Sequence, residues 1–177
     1  MSATLVIDTS TSRTIVGLVR DSETLWQGFH DGATDHGNAV AALVKQALTV
    51  GINPDRVVVG MGPGPFTGLR VGIAFARSFA AARNIEVVGI CSLDAIVVDR
   101  DEYTVAIDAR RKEIYWASYK AGKRINGPAV NFPADVVGYI SDLYPDVTRM
   151  VELAAHENYA EPFYLRRPDA VATADRT

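Results

Sequence analysis

Cysteine is nearly absent from this chain of 177 residues: Cys91 stands alone. No intramolecular disulfide can form and no zinc site of the paired-cysteine kind, so a reducing, cytosolic setting is the expectation. Histidine is almost as scarce. His30, His36 and His156 include no pair four residues apart, so no helix carries a two-histidine metal motif. Long apolar runs are missing as well. The most helix-like apolar stretch, Val71–Ala82, is cut by Arg77 and is too short to span a bilayer. The first residues, MSATLVIDTS, have neither the basic start nor the apolar core of a secretory signal. Nor is there a surplus of positive charge, since 18 basic against 21 acidic residues leave a net charge of −3. That argues against strong nucleic-acid binding by this chain alone, because affinity for a phosphate backbone rests on clustered Lys and Arg.

What is present has the composition of an ordinary soluble globular protein, 48% hydrophobic and 22% charged, long enough for one domain or two small lobes. Thr4–Ile7 is a β-branched run ended by the polar turn Asp8–Ser12. Thr14–Val19 and Thr24–Phe29 follow as strands, which predicts an antiparallel meander whose first strand is buried on both faces. From Asp35 to Val50 the period changes. Val40, Leu43, Val44, Ala47 and Leu48 form one helical stripe, with Gly51 as the stop. Arg56–Val59 is a strand again, a glycine-rich elbow comes next, and a helix is predicted from about Gly68 to Arg83. Glu86–Ile90 is a further strand, with Ser92 as N-cap of a short helix through Val98.

The second half repeats the opening. Residues 104–108 are TVAID, as residues 4–8 are TLVID, and each copy runs through a polar turn into another β-rich stretch. Two strand–Asp–turn–strand units raise the prospect of a duplicated fold. Further on, Ala134–Ser141 reads as a helix, Val147–Val151 as a strand, and the stretch from Pro168 as a loose polar tail.

The elbow, Gly62-Pro63-Gly64-Pro65-Phe66-Thr67-Gly68, makes a poor phosphate cradle. It lacks the lysine and the spacing of a nucleotide loop, and its two prolines remove backbone donors. A rigid strand-to-helix corner, with Thr67 capping the helix, is the simpler reading. After it, Gly72, Ala76 and Ala80 form a stripe of small residues that admits a close helix, from this chain or another. Asp8 and Asp108, with Thr9, are the tentative cofactor residues, each aspartate ending a buried strand where two lobes would face one cleft. Against this, Asp108 leads into Ala109-Arg110-Arg111-Lys112, with no glycine to admit a phosphate closely. The basic triplet reads as a solvated hairpin end, with RNA contact as the minority reading.

Four blocks, IDTST near the start, GPGPFTGLRVGIAFA after the fourth strand, IDARRKEIYWASY opening the second half and EPFYLRRP near the end, together resemble the bacterial TsaB (YeaZ) family. The resemblance implies an α/β, actin-like and Hsp70-like (ASKHA) two-lobed fold built from two ribonuclease H-like halves. The second lobe is reduced, because little lies between Val151 and the last block. It divides the chain into a first lobe over 1–100 carrying the dimerisation helices, a shortened second lobe over 101–167, and a flexible tail over 168–177. It also implies a non-catalytic subunit in forming N6-threonylcarbamoyladenosine at position 37 of tRNA. Such a subunit pairs with and activates a TsaD-like transferase, meets a TsaE-like ATPase in the complex, and forms a homodimer when alone. No catalytic or metal residue and no membrane contact is implied, tRNA is met weakly or through the complex, and ATP or ADP belongs to the complex. The partner interface carried over from the family comprises Val40, Leu43, Val44 and Leu48 on the first helix, and Arg70, Val71, Ala74, Phe75 and Ser78 on the second. The rival reading is a hydrolase, glycoprotease-like or acting on nucleotide, that uses the cleft between the lobes.

Overall fold

The structure is a computed structural model that describes residues 2–166; the tail expected over 168–177 lies outside them. The first half forms β1 (Ala3–Asp8), β2 (Arg13–Arg20), β3 (Glu23–Asp31), α1 (His36–Leu48), β4 (Arg56–Gly60), α2 (Phe66–Arg83) and β5 (Glu86–Ile90). These strands make one sheet in the order β3-β2-β1-β4-β5. β1 pairs antiparallel with β2 and parallel with β4, Ile7 lying opposite both Val16 and Val59. Every residue of β1 is buried, as its unbroken apolar run requires of a central strand covered on both faces.

The second half repeats the meander as β6 (Glu102–Asp108), β7 (Ile114–Lys120) and β8 (Lys123–Asn131), and adds the short β9 (Tyr139–Ile140), giving the sheet order β8-β7-β6-β9. A last helix, α3, covers Val147–Leu153. Two expectations are overturned here. Pro133–Asp135 is only a single 3-10 turn, and Gly138 at a φ of +69° leads into β9 where a helix was predicted. The segment predicted as a strand is α3 instead. Asp146 caps it, accepting from the Arg149 backbone N–H at 2.8 Å, and Val147, Met150 and Leu153 bury one face at a spacing of three.

α1 and α2 cover one face of the first sheet, packing Val40, Leu43, Val44, Ala76 and Ala80 against Leu5, Ile7 and Val57. α3 does not cover the second sheet. It crosses back to the other face of the first, where Val147, Met150 and Leu153 meet Val6, Val58 and Val88. A third cluster, centred on Leu93, Val105, Ile107, Tyr115 and Tyr119, joins the halves. The segment after α3 then straps the first half. Tyr159 N–H donates to the Gly89 carbonyl at 2.8 Å, Phe163 N–H to the Met61 carbonyl at 2.9 Å, and the Arg77 guanidinium to the Ala160 carbonyl at 2.7 Å.

Candidate functional site

The site builds outward from the turn after β1. Asp8 is wholly buried. Its Oδ1 accepts from the Ser10 backbone N–H at 2.9 Å and the Ser10 hydroxyl at 2.6 Å, and its Oδ2 from the Ser92 hydroxyl at 2.6 Å. Burial drives its pKa upward, against those donors, which pull it down. Gly60 makes the arrangement fit: a Cβ there would lie 1.9 Å from Asp8 Oδ2. Ser92 accepts from the Gly62 N–H at 3.2 Å and donates its own N–H to the Gly62 carbonyl at 2.8 Å, so the carboxylate and the elbow are one hydrogen-bonded unit. Ser92 is therefore not the N-cap expected of it. Cys91 holds that position, before a 3-10 turn over Ser92–Ala95.

Thr9 performs a parallel task. Its hydroxyl donates to the Gly68 carbonyl at 2.8 Å and accepts from the Gly72 N–H at 3.2 Å, clamping the first turns of α2 to the β1–β2 turn. A Cβ on Gly72 would stand 2.3 Å from Thr9 Oγ1. The small-residue stripe thus serves close packing inside this chain. Ala76 and Ala80 face its core and are not available to another helix. Helix α2 begins at Phe66, with Pro65 as N-cap and no side-chain cap, so Thr67 lies exposed within the first turn and does not cap it. Gly62, Pro63 and Gly64 are buried, Gly68 is buried in the first turn of α2 against His36 and Thr9, and Phe66 reaches solvent.

The tentative cofactor residues do not converge. Asp8 and Thr9 are closed inside the first half, whereas the Asp108 side chain is 67% exposed, accepting from the Arg110 backbone N–H at 2.9 Å. His36 is buried, its Nδ1 2.8 Å from the Thr14 hydroxyl, and desolvation lowers its pKa. Burial pushes the Cys91 thiol up to about 12, where it is inert as a nucleophile. Among the described residues no group of three or more His, Cys, Asp and Glu is placed to hold a metal ion, and no helix is long and apolar enough to cross a membrane.

The residues assigned to a partner interface divide into two layers. Val40, Leu43 and Val44 are buried in the core beneath α1, and Leu48 packs partly against it. Arg70, Ala74 and Ser78 are exposed on α2, with Val71 and Phe75 half-buried beside them. The exposed positions of α1 include Ala41 and Ala42 beside Lys45 and Gln46, so the outer face of the helix pair sets small residues among a few cations. Between Phe66, Arg70, Val71 and Ala74 lies a shallow, mainly apolar groove. The residues that sequence reasoning missed are Gly60, Ser92 and Phe163. The last-block residue Phe163 latches onto the elbow, a pairing that no local pattern signals.

A family model described as TsaD, tRNA N6-adenosine threonylcarbamoyltransferase, matches residues 31–172. An uncharacterized protein of Mycobacterium tuberculosis is 40% identical, over 96% of this chain and 94% of its own length. The Escherichia coli tRNA threonylcarbamoyladenosine biosynthesis protein TsaB is 30% identical over 66% of this chain; the match spans about half, 54%, of the relative. In fold, a Pseudomonas aeruginosa protein described as similar to peptidase YeaZ superposes with a TM-score of 0.80 at 24% identity, covering 94% of this chain and all of its own. A second structure, YeaZ from the same organism, has a TM-score of 0.74 at 24% identity, covering 88% and 91%.

Proposed function

The chain belongs to the TsaB (YeaZ) family, and from that premise we propose that it is a non-catalytic subunit in the formation of tRNA N6-threonylcarbamoyladenosine, acting as dimer partner and activator of a TsaD-like transferase. The observation that carries this reading is the outer face of α1 and α2. Ala41, Ala42, Ala74 and Ser78 lie open beside half-buried Val71 and Phe75, and these small side chains permit close helix approach between the exposed cations Lys45, Arg70 and Arg77. Val40, Leu43 and Val44 then act from beneath, holding the two helices at a fixed angle. The elbow sets the direction of α2 because it is tied to Asp8 through Ser92 and Gly62. The same face is proposed to form a homodimer when the partner is missing, and a TsaE-like ATPase to join the pair.

A hydrolase centred on Asp8 is not favoured, since that carboxylate is buried and both its oxygens are engaged by serines. The experiment is depletion of this protein in its own cells, with threonylcarbamoyladenosine in digested bulk tRNA read by mass spectrometry. The level falls and is restored by the intact chain, but not by Ala74→Glu, which places a charge in the open face while leaving the core untouched. An unchanged level under verified depletion would sink the reading. Full rescue by Ala74→Glu would move the interface elsewhere.

A further inference from the structure

One cationic feature takes no part in that reading. A cavity of about 470 Å³ lies between the start of α2 and the β6–β7 loop. Among the described residues, Arg110, Arg111 and Arg166 line it and no carboxylate does, in a chain whose net charge is −3. Two of the arginines also meet carboxylates: Asp108 is 3.7 Å from Arg110, and Glu113 pairs with Arg166. A guanidinium carries five N–H donors, so one carboxylate does not exhaust it. The facing wall is the first turn of α2, which has no acidic residue and no side-chain cap, and so presents partial positive charge to the same space. Two rings stand at the opening. Phe66 and Tyr164 are 37% and 42% exposed, with centroids 5.0 Å apart. Arg110, Arg111 and Lys112 all hold left-handed backbone, at φ of 63°, 53° and 63°, a conformation uncommon outside glycine. Hydrogen bonds from Ala109 N–H to the Glu113 carbonyl and from Glu113 N–H to the Arg110 carbonyl lock it, at 2.9 and 3.0 Å.

Cationic donors beside exposed rings suit a nucleotide, its phosphate held by arginine and its base stacked on an aromatic face. We propose that this cleft holds a nucleotide step of single-stranded RNA, with the phosphodiester between Arg110, Arg111 and the α2 start and a base on the Phe66–Tyr164 pair. The charge balance selects a strand over a free nucleoside polyphosphate. A polyphosphate usually travels with a divalent cation that one or two carboxylates help to hold, but Asp8 is engaged by serines and the described lining residues include no carboxylate. A phosphodiester carries a single negative charge and needs no such partner. RNA as the source rests on the tRNA reading above. The cleft itself is tested on the purified chain, whatever the outcome in cells.

The test is fluorescence anisotropy of a short labelled single-stranded RNA with the full chain, across a salt series, with AMP, ATP and inorganic phosphate as competitors. The intact chain binds weakly, and its log affinity falls against log salt with a slope of roughly −0.7, for the one phosphate neutralised. The double variant Arg110→Gln/Arg111→Gln loses about ten-fold or more in affinity and most of that slope, and Tyr164→Ala loses about ten-fold through stacking alone. Arg100→Gln, an exposed cation that does not line the cleft, leaves binding unchanged. Melting curves identify any variant that fails to fold, and Tyr164→Ala then carries the test by itself. Equal affinity in the folded cleft variants, no RNA binding at all, or binding of AMP or ATP without RNA would each overturn the proposal.

Discussion

The two halves open alike and end differently. Each starts with a strand ending in aspartate, a polar turn and two further antiparallel strands, yet Asp8 is wholly buried and Asp108 is two-thirds exposed. The first half continues through β4, α2 and β5, which bring Gly60 beneath Asp8 and Ser92 against it. The second half continues only to β9, and its remaining helix packs on the back of the first sheet. Among the described residues Asp108 therefore keeps a local bond to Arg110, and Arg110 and Arg111 beyond it line the cleft. The comparison teaches that the aspartate at the end of a buried strand has no fixed role. Burial and donors supplied from distant sequence decide between a structural knot and a surface group.

The sharpest test of that contrast is the same substitution in both copies. Asp8→Ala leaves the Ser10 and Ser92 donors buried without an acceptor and should cost about 3–5 kcal/mol, read as a drop of roughly 10 °C or more in melting temperature. A loss below about 1 kcal/mol would mean that water replaces the carboxylate and that the knot contributes little. Gly72→Ala follows, with about 2 kcal/mol lost as the new methyl group meets Thr9 Oγ1; denaturant melts of this variant beside Thr9→Val show whether the two share one clamp, by failing to add.

A smaller effect separates the halves by pH. Burial lowers the His36 pKa below its ordinary 6.5, so as pH falls through about 6.5 the unfolded chain gains a proton that the folded chain refuses. Stability falls over that window and continues falling until the folded value is reached. His36→Asn, though less stable at neutral pH, should flatten the slope, and an unaltered slope would place the acid sensitivity elsewhere. Asp108→Ala is the smallest, within about 0.5 kcal/mol of the parent, as expected for an exposed group away from the core; a loss comparable with that of Asp8→Ala would collapse the contrast between the copies.

Much of this was legible in the residues. Unbroken apolar runs at Thr4–Ile7 and Arg56–Val59 marked the central strands, the stripe through Val40, Leu43 and Val44 marked α1, and TLVID against TVAID exposed the repeated half. The failures share a cause. VTRMVEL suits period 2 as readily as period 3.6 over so few residues, and the cap at Asp146 decided for a helix. The small stripe Gly72, Ala76 and Ala80 showed that something approaches α2 closely, but not that its neighbours are Thr9 and the chain's own core.

Local pattern alone determined the strand meanders, the two long helices and the corner between β4 and α2, because periodicity and turn chemistry act between near neighbours. Only the tertiary structure decided that Ser92 meets Asp8 across 84 residues and that Phe163 latches onto Met61. It also placed α3 on the first sheet and set the arginines of the β6–β7 loop opposite the start of α2. Such pairings follow from which buried donors and apolar faces find partners once the sheets close, and that is a property of the whole packed chain.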